Sequence, residues 1–420
     1  MDPVLETVDL ARLQFALTAG AHFLFVALTL GLATLVAVIQ TRATLGRSPV
    51  HMGMTRFWGQ LYIINYAMGI VTGLVMEFQL GLSWSDLTEF AGNAFGSALA
   101  LETMVAFFIE ATFLGLWIFG WNKLNRWAHL ALIWVVTLTA YASAFWIMVS
   151  NGFLQNPVGH RIDGGVLHLE DFGAMVGNPA ALVAFGHILS GSLVVGGFFM
   201  AGVSAYHLRK RTAEQDFFRK SLRIGIAVAL PATLVTATFG GIGFETLQPG
   251  KIAAWTGDST RLAAVQAEMA ALHGPGDYLP PVGWVQGGAL TMLILFVLMF
   301  LFSGLSFLLM LFRPVVRGLR IWHWLLTAMI PVPFVAMLAG WIFREMGRQP
   351  WAVHGLLTTA DAMSPVTAGQ MRFSLIAFTS VFAVLIVINY WLLARAARRG
   401  PGAVTLGDRP IETATPVPTF

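Results

Sequence analysis

Nine stretches of the chain run apolar, approximately 13–40, 57–81, 96–121, 127–150, 179–206, 221–243, 283–312, 321–343 and 372–395. Each is long enough to cross about 30 Å of hydrocarbon as a helix rising about 1.5 Å per residue. None shows the alternation of apolar and polar positions that a barrel strand needs, so the spans are read as helices. Two connections are longer than a turn requires, about 152–178 and about 244–282. The second carries a short helical pattern from Lys251 to Ala271, then Gly and Pro. The expected fold is an all-α membrane bundle of about nine helices forming one domain over 1–399. The Gly/Pro/Thr-rich residues 400–420 are expected to form a disordered tail.

The polar connections sort by sign. Arg42, Arg47 and Arg56 follow the first span, and Lys123 and Arg126 the third. Arg209, Lys210, Arg211, Arg219, Lys220 and Arg223 follow the fifth, Arg313, Arg317 and Arg320 the seventh, and Arg395, Arg398, Arg399 and Arg409 the ninth. That is 18 of the 25 Lys and Arg residues, which puts these loops and the C-terminus in the cytoplasm and the N-terminus outside. Asp86, Glu89, Asp163, Glu170, Asp171, Asp258 and Glu268 sit in the opposite connections.

Composition agrees with a bilayer: 57% of residues are hydrophobic and 11% charged, against about a quarter charged in soluble domains. A net charge of +4 with most of the basic residues on one side reads as membrane orientation, with no nucleic-acid partner. Cysteine is absent, which excludes disulfides, thiolate metal sites and thiol nucleophiles. Any cofactor must hang on His, Met, Glu or Asp.

Ionisable groups inside a span are expensive and mark candidate sites. They are His22, Glu77, Glu102, Glu110, His187, Arg344 and Glu345. All but Glu110 fall in the outer half of the bilayer. Two histidines at matched depth suit haem ligation, although a hydrogen-bonded ring in a helix bundle is the plain alternative for either. Glu102 and Glu110, eight positions apart on one α-helix, would differ by about 80° in azimuth and form steps of a proton path, or be unrelated carboxyls satisfied by local donors. Met292 and Met299 have ordinary core spacing, but Met292 lies level with His187, and His/Met is a known axial pair for haem.

Several strings resemble subunit I of the cytochrome bd oxidases, over nearly the whole chain. They are Arg12-Leu-Gln-Phe-Ala-Leu-Thr-Ala-Gly-Ala-His22, Asn65-Tyr-Ala-Met-Gly with Met76-Glu-Phe-Gln, Ala100-Leu-Glu102 with Phe107-Phe-Ile-Glu110, and Asn151-Gly-Phe-Leu-Gln-Asn-Pro157. Phe185-Gly-His187, Gly243-Phe-Glu-Thr246 and Glu345-Met-Gly-Arg-Gln-Pro-Trp351 complete the set. The resemblance implies a terminal oxidase that reduces O2 to water with electrons from membrane quinol and protons from the cytoplasm, in a bacterial or archaeal cytoplasmic membrane. It implies a low-spin haem b, a high-spin haem b, and a haem d or further haem b. His22 and Glu345 match the axial ligands of the two high-spin haems, and His187 one ligand of the low-spin haem, with Met292 as the second. Trp341 would lie between haems, Arg348 at a haem, and Glu102 and Glu110 at haem contact and proton delivery. A second membrane subunit (subunit II) and a small single-helix subunit are the implied partners.

The chain departs from the family pattern around the donor. Lys251 and Met292 stand only 41 positions apart, Thr256 replaces an expected Glu, and Leu290 and Leu293 replace expected neighbours of the methionine. Glu245, Gln248 and Lys251 are the candidates for a quinol site in a shortened loop, 244–282. The competing readings are a bd-like oxidase with another donor, a haem protein for electron transfer or gas sensing, and a haem-free transporter coupled to protons through Glu102 and Glu110.

Overall fold

The computed structural model describes residues 3–407. Among the described residues, nine helices are long and apolar enough to cross a membrane. Seven spans are the continuous helices Pro3–Gly46, Pro49–Ser83, Arg126–Gln155, Pro179–Lys210, Gln215–Phe244, Val282–Leu309 and Ala368–Arg399. The third combines Ser85–Thr103, a π-helical segment Met104–Glu110 and Ala111–Phe119, and the eighth combines Arg320–Ala328 with Val332–Met346. The nine apolar stretches are thus the nine spans. Most helices outrun their stretches because polar caps lie beyond the apolar runs. Asn125 accepts from the amides of Trp127 and Ala128, and Thr367 forms a capping box with Gln370.

The π-helical segment alters one expectation. With i→i+5 bonding between Glu102 and Glu110, their eight-residue spacing does not carry the α-helical azimuth of 80°.

The first and fifth spans are the most enclosed. They meet through glycine: a Cβ on Gly31 would stand 2.2 Å from the Ser192 carbonyl and 3.0 Å from the Gly196 Cα. Small residues at such a crossing allow backbones to approach where lipid offers no hydrophobic drive between helices. Gly31→Val is therefore expected to lower stability by about 1–3 kcal/mol, the usual cost of overpacking. Thermal unfolding of the detergent-solubilised protein measures it, and an unchanged transition would contradict this contact.

Two hydrophobic clusters flank this crossing. One gathers Phe57, Trp58, Tyr62, Trp117 and Phe218 toward the basic end of the bundle. The other joins Val8, Trp84, Phe153, Leu167 and Val353 at the opposite, loop-rich end. The long connections are more structured than their sequence indicates. Residues 160–169 form an antiparallel hairpin, His160–Asp163 with Val166–Leu169, turned by Gly164 and Gly165 at φ of 58° and 82°. A second small hairpin pairs Trp351–Val353 with Leu357–Thr358.

The single helix expected from Lys251 to Ala271 is instead two, Pro249–Thr256 and Ser259–His273. Gly257, at φ 70°, ends the first, and Asp258 caps the second by accepting from the amides of Thr260 and Arg261. Residues 400–407, counted with the tail on sequence, return to the bundle. Leu406 is buried, and the Thr405 amide donates to Gln60 Oε1 at 2.9 Å. The rest of the tail, 408–420, lies outside the described residues.

Candidate functional site

Three of the ionisable residues singled out within the spans, His187, His22 and Glu345, each centre a group, and the stacking of Trp341 on Phe23 joins the first two. The first is built on His187 in the fifth span. Its Nδ1 bonds the Thr236 carbonyl of the sixth span at 2.9 Å; since a carbonyl only accepts, Nδ1 carries the proton and Nε2 keeps its lone pair. His187 lines an apolar cavity of about 390 Å³ between the fifth to eighth spans, and Met292 of the seventh span lines it too. Two glycines make room: a Cβ on Gly340 would come within 2.8 Å of the Met292 sulfur, and one on Gly240 within 3.2 Å of His187 Cε1. Lys251 and Arg344 supply the cations at this cavity.

Trp341 also lines the cavity and stacks on Phe23 with ring centroids 5.4 Å apart at 23°. Phe23 precedes Leu24 on the first span and follows His22, the centre of the second group. His22 Nδ1 lies 2.9 Å from Thr72 Oγ1 of the second span. A Cβ on Gly73 would be 3.3 Å from His22 Cε1, so glycine keeps that face of the ring open. On the third span, Glu102 accepts from Ser143 at 2.8 Å, and Glu77 of the second span accepts from Thr103 at 3.0 Å. Glu110 is 4% exposed, lies beside the Tyr66 hydroxyl, and has one carboxyl oxygen, Oε1, buried without a hydrogen-bond partner.

The third group surrounds Glu345 at the end of the eighth span. Its Oε2 pairs with Arg348 at 2.6 Å, and its Oε1 accepts from Asn151 at 3.0 Å and Gln155 at 3.3 Å, one helical turn apart on the fourth span. Arg344 donates to Asn151 Oδ1 at 2.7 Å, and Arg348 also bonds the Trp351 and Ala352 carbonyls. Lys251 enters from the loop helix Pro249–Thr256 and is 2% exposed. It donates to Gln155 Oε1 at 3.2 Å and to the Arg344 carbonyl at 3.0 Å. Burial, aided by Arg344 and opposed by Glu345, lowers its ammonium to about 7. Gln248 bonds the Gln155 carbonyl, whereas Glu245 is exposed at the end of the sixth span.

Asn151, Gln155, Thr72, Thr236, Tyr66 and Phe23 were not singled out by charge. Asn151 and Gln155 stood in a quoted string, and their four-residue spacing was the available signal.

The chain and its fold have known counterparts. The family model of cytochrome bd terminal oxidase subunit I matches residues 10–273 and 260–401. The chain is 37% identical to cytochrome bd ubiquinol oxidase subunit 1 of Bacillus subtilis, over 96% of each chain. It is 30% identical to cytochrome bd-II ubiquinol oxidase subunit 1 of Escherichia coli, over 95% of this chain and 98% of that one. Its fold superposes on bd oxidase from Geobacillus thermodenitrificans with a TM-score of 0.84 at 25% identity, covering 96% of this chain and all of that one. The chain belongs to the family of subunit I of the cytochrome bd terminal oxidases, multi-pass membrane proteins that carry haem and work in multi-subunit complexes. Membership does not favour the transporter or the haem protein without oxygen turnover.

Proposed function

We propose that this chain is the core haem-bearing subunit of a bd-type terminal oxidase, a quinol:O2 oxidoreductase that carries electrons from membrane quinol to O2. The observation that carries the site reading is the apolar cavity with His187 and Met292 in its wall. Its residues fit a low-spin haem b: an imidazole with a free Nε2, a thioether, an apolar lining for the macrocycle, and two cations for acidic substituents. His22 and Glu345 fit the high-spin pair, a haem b and a haem d or second haem b. A carboxylate offers about four acceptor positions. Glu345 uses three on Arg348, Asn151 and Gln155, leaving one for iron. Bound haem supplies one-electron chemistry there, and an iron with a single protein ligand leaves a position for O2.

The protein's own residues then divide the work. Arg348 and Asn151 hold the Glu345 carboxylate, and Trp341 with Phe23 bridges the His187 cavity to His22. Glu102 and Glu110 of the third span, with Tyr66 of the second, offer proton-carrying side chains between the two ends of the bundle. The basic end faces the cytoplasm and the loop-rich end lies outside, so protons enter from the cytoplasmic side. Quinol gives up its electrons at the outer end, at the loop helix bearing Gln248 and Lys251, with Glu245 at its edge. Subunit II and a small single-helix subunit complete the complex in the bacterial cytoplasmic membrane.

The decisive measurement is the reduced-minus-oxidised absorption spectrum of the purified complex, before and after CO. A low-spin b band with a separate CO-sensitive band is expected. A spectrum without CO sensitivity would overturn the oxidase reading. Met292→Leu is expected to shift the low-spin band and weaken haem retention; a band identical to wild type would remove Met292 from the ligand set.

A further inference from the structure

Two buried features meet at one neutral side chain. Lys251 is a charged group brought from the outer loop into the bundle, where Gly347 makes way for it: a Cβ there would stand 2.3 Å from Lys251 Cε. Glu345 is a carboxylate with three partners. Gln155, 2% exposed, touches both, accepting from Lys251 Nζ at 3.2 Å and donating to Glu345 Oε1 at 3.3 Å. The chemistry of the neighbours fixes the amide. The Glu345 carboxylate and the Arg344 carbonyl can only accept, so the amino group faces them and the carboxamide oxygen faces Lys251. Gln248, three residues before Lys251, also holds the Gln155 backbone carbonyl. The loop helix is thus fastened to the same residue that donates to the carboxylate.

We propose that Gln155 is a positioning residue that couples the loop helix Pro249–Thr256 to the Glu345 carboxylate. Lys251 orients the Gln155 amide, and the amide draws electron density from Glu345 Oε1. Removing Lys251 leaves the amide oxygen without its partner and the amide held only through its nitrogen, by Glu345 at 3.3 Å and the Arg344 carbonyl at 3.4 Å, which weakens that donor although Lys251 makes no bond to Glu345. This rests on Glu345 being an iron ligand. A carboxylate relieved of a hydrogen bond is the stronger donor to ferric iron, so the midpoint potential of its haem falls.

The test is a double-mutant cycle read by spectroelectrochemical titration of the purified complex, using Lys251→Met, Gln155→Leu and both together, with haem content measured in each. Lys251→Met and Gln155→Leu should each lower the midpoint of the Glu345-linked high-spin haem. The double variant should shift it no further than Gln155→Leu alone, because a relay cut once cannot be cut again. Additive shifts would mean that Lys251 acts through space by its charge and would overturn the coupling, as would Lys251→Met leaving the midpoint in place. Glu345→Ala separates this from the ligand assignment: if it retains the complete high-spin spectrum, the ligand reading has failed. If Gln155→Leu does not assemble, Gln155→Asn takes its place. It keeps the amide but shortens the arm by one methylene, and the same non-additivity with Lys251→Met is required.

Discussion

His187→Ala is expected to purify without a low-spin haem band while the high-spin bands remain. The imidazole is held by Thr236 through Nδ1, and no other described histidine lines that cavity. Removing it takes away the one imidazole among the described lining residues and enlarges an already open apolar space. His22 and Glu345, the residues proposed to hold the high-spin groups, have separate supports in Thr72 and in Arg348 with Asn151. Electron transfer from quinol should stop, whereas an artificial reductant should still reduce the high-spin centres. A complete low-spin spectrum in this variant would remove His187 from the ligand set.

His22→Ala is expected to abolish O2 reduction, with oxygen uptake falling more than about 100-fold, beyond the upper figure for losing only an outer-shell partner. Thr72→Val gives the comparison. It removes the hydroxyl that orients the ring but leaves the imidazole, so its loss should lie within about 10–100-fold. Haem content measured alongside uptake distinguishes a lost ligand from a lost protein. Uptake above one tenth of wild type in His22→Ala would assign the oxygen-reducing haem elsewhere.

The spans were legible because a helix crossing hydrocarbon must be apolar along its length, and the nine runs could be read without knowledge of tertiary contacts. His22, Glu102, Glu110, His187 and Glu345 were legible for a related reason: an ionisable group in such a run is costly enough to stand out. Neutral amides carry no such mark. Asn151 and Gln155 reach Glu345 from 194 and 190 positions away, a relation that no local pattern encodes. The break at Gly257 was hidden by helix-forming residues on both sides, and the π-helical turn at Met104–Glu110 by a sequence of ordinary apolar character. The short hairpins depended on turn glycines, Gly164 with Gly165 in one and Gly355 in the other, rather than on strand-like alternation.

The glycine crossing of the first and fifth spans also bears on how the chain is made. Of these two helices, the one synthesised earlier carries a face shaped for a partner that does not exist until synthesis has passed Lys210. During that interval Gly31 presents a notch to lipid or to the insertion machinery. This crossing therefore closes late, and the cavity between the fifth to eighth spans is complete only after Val332–Met346 has been made.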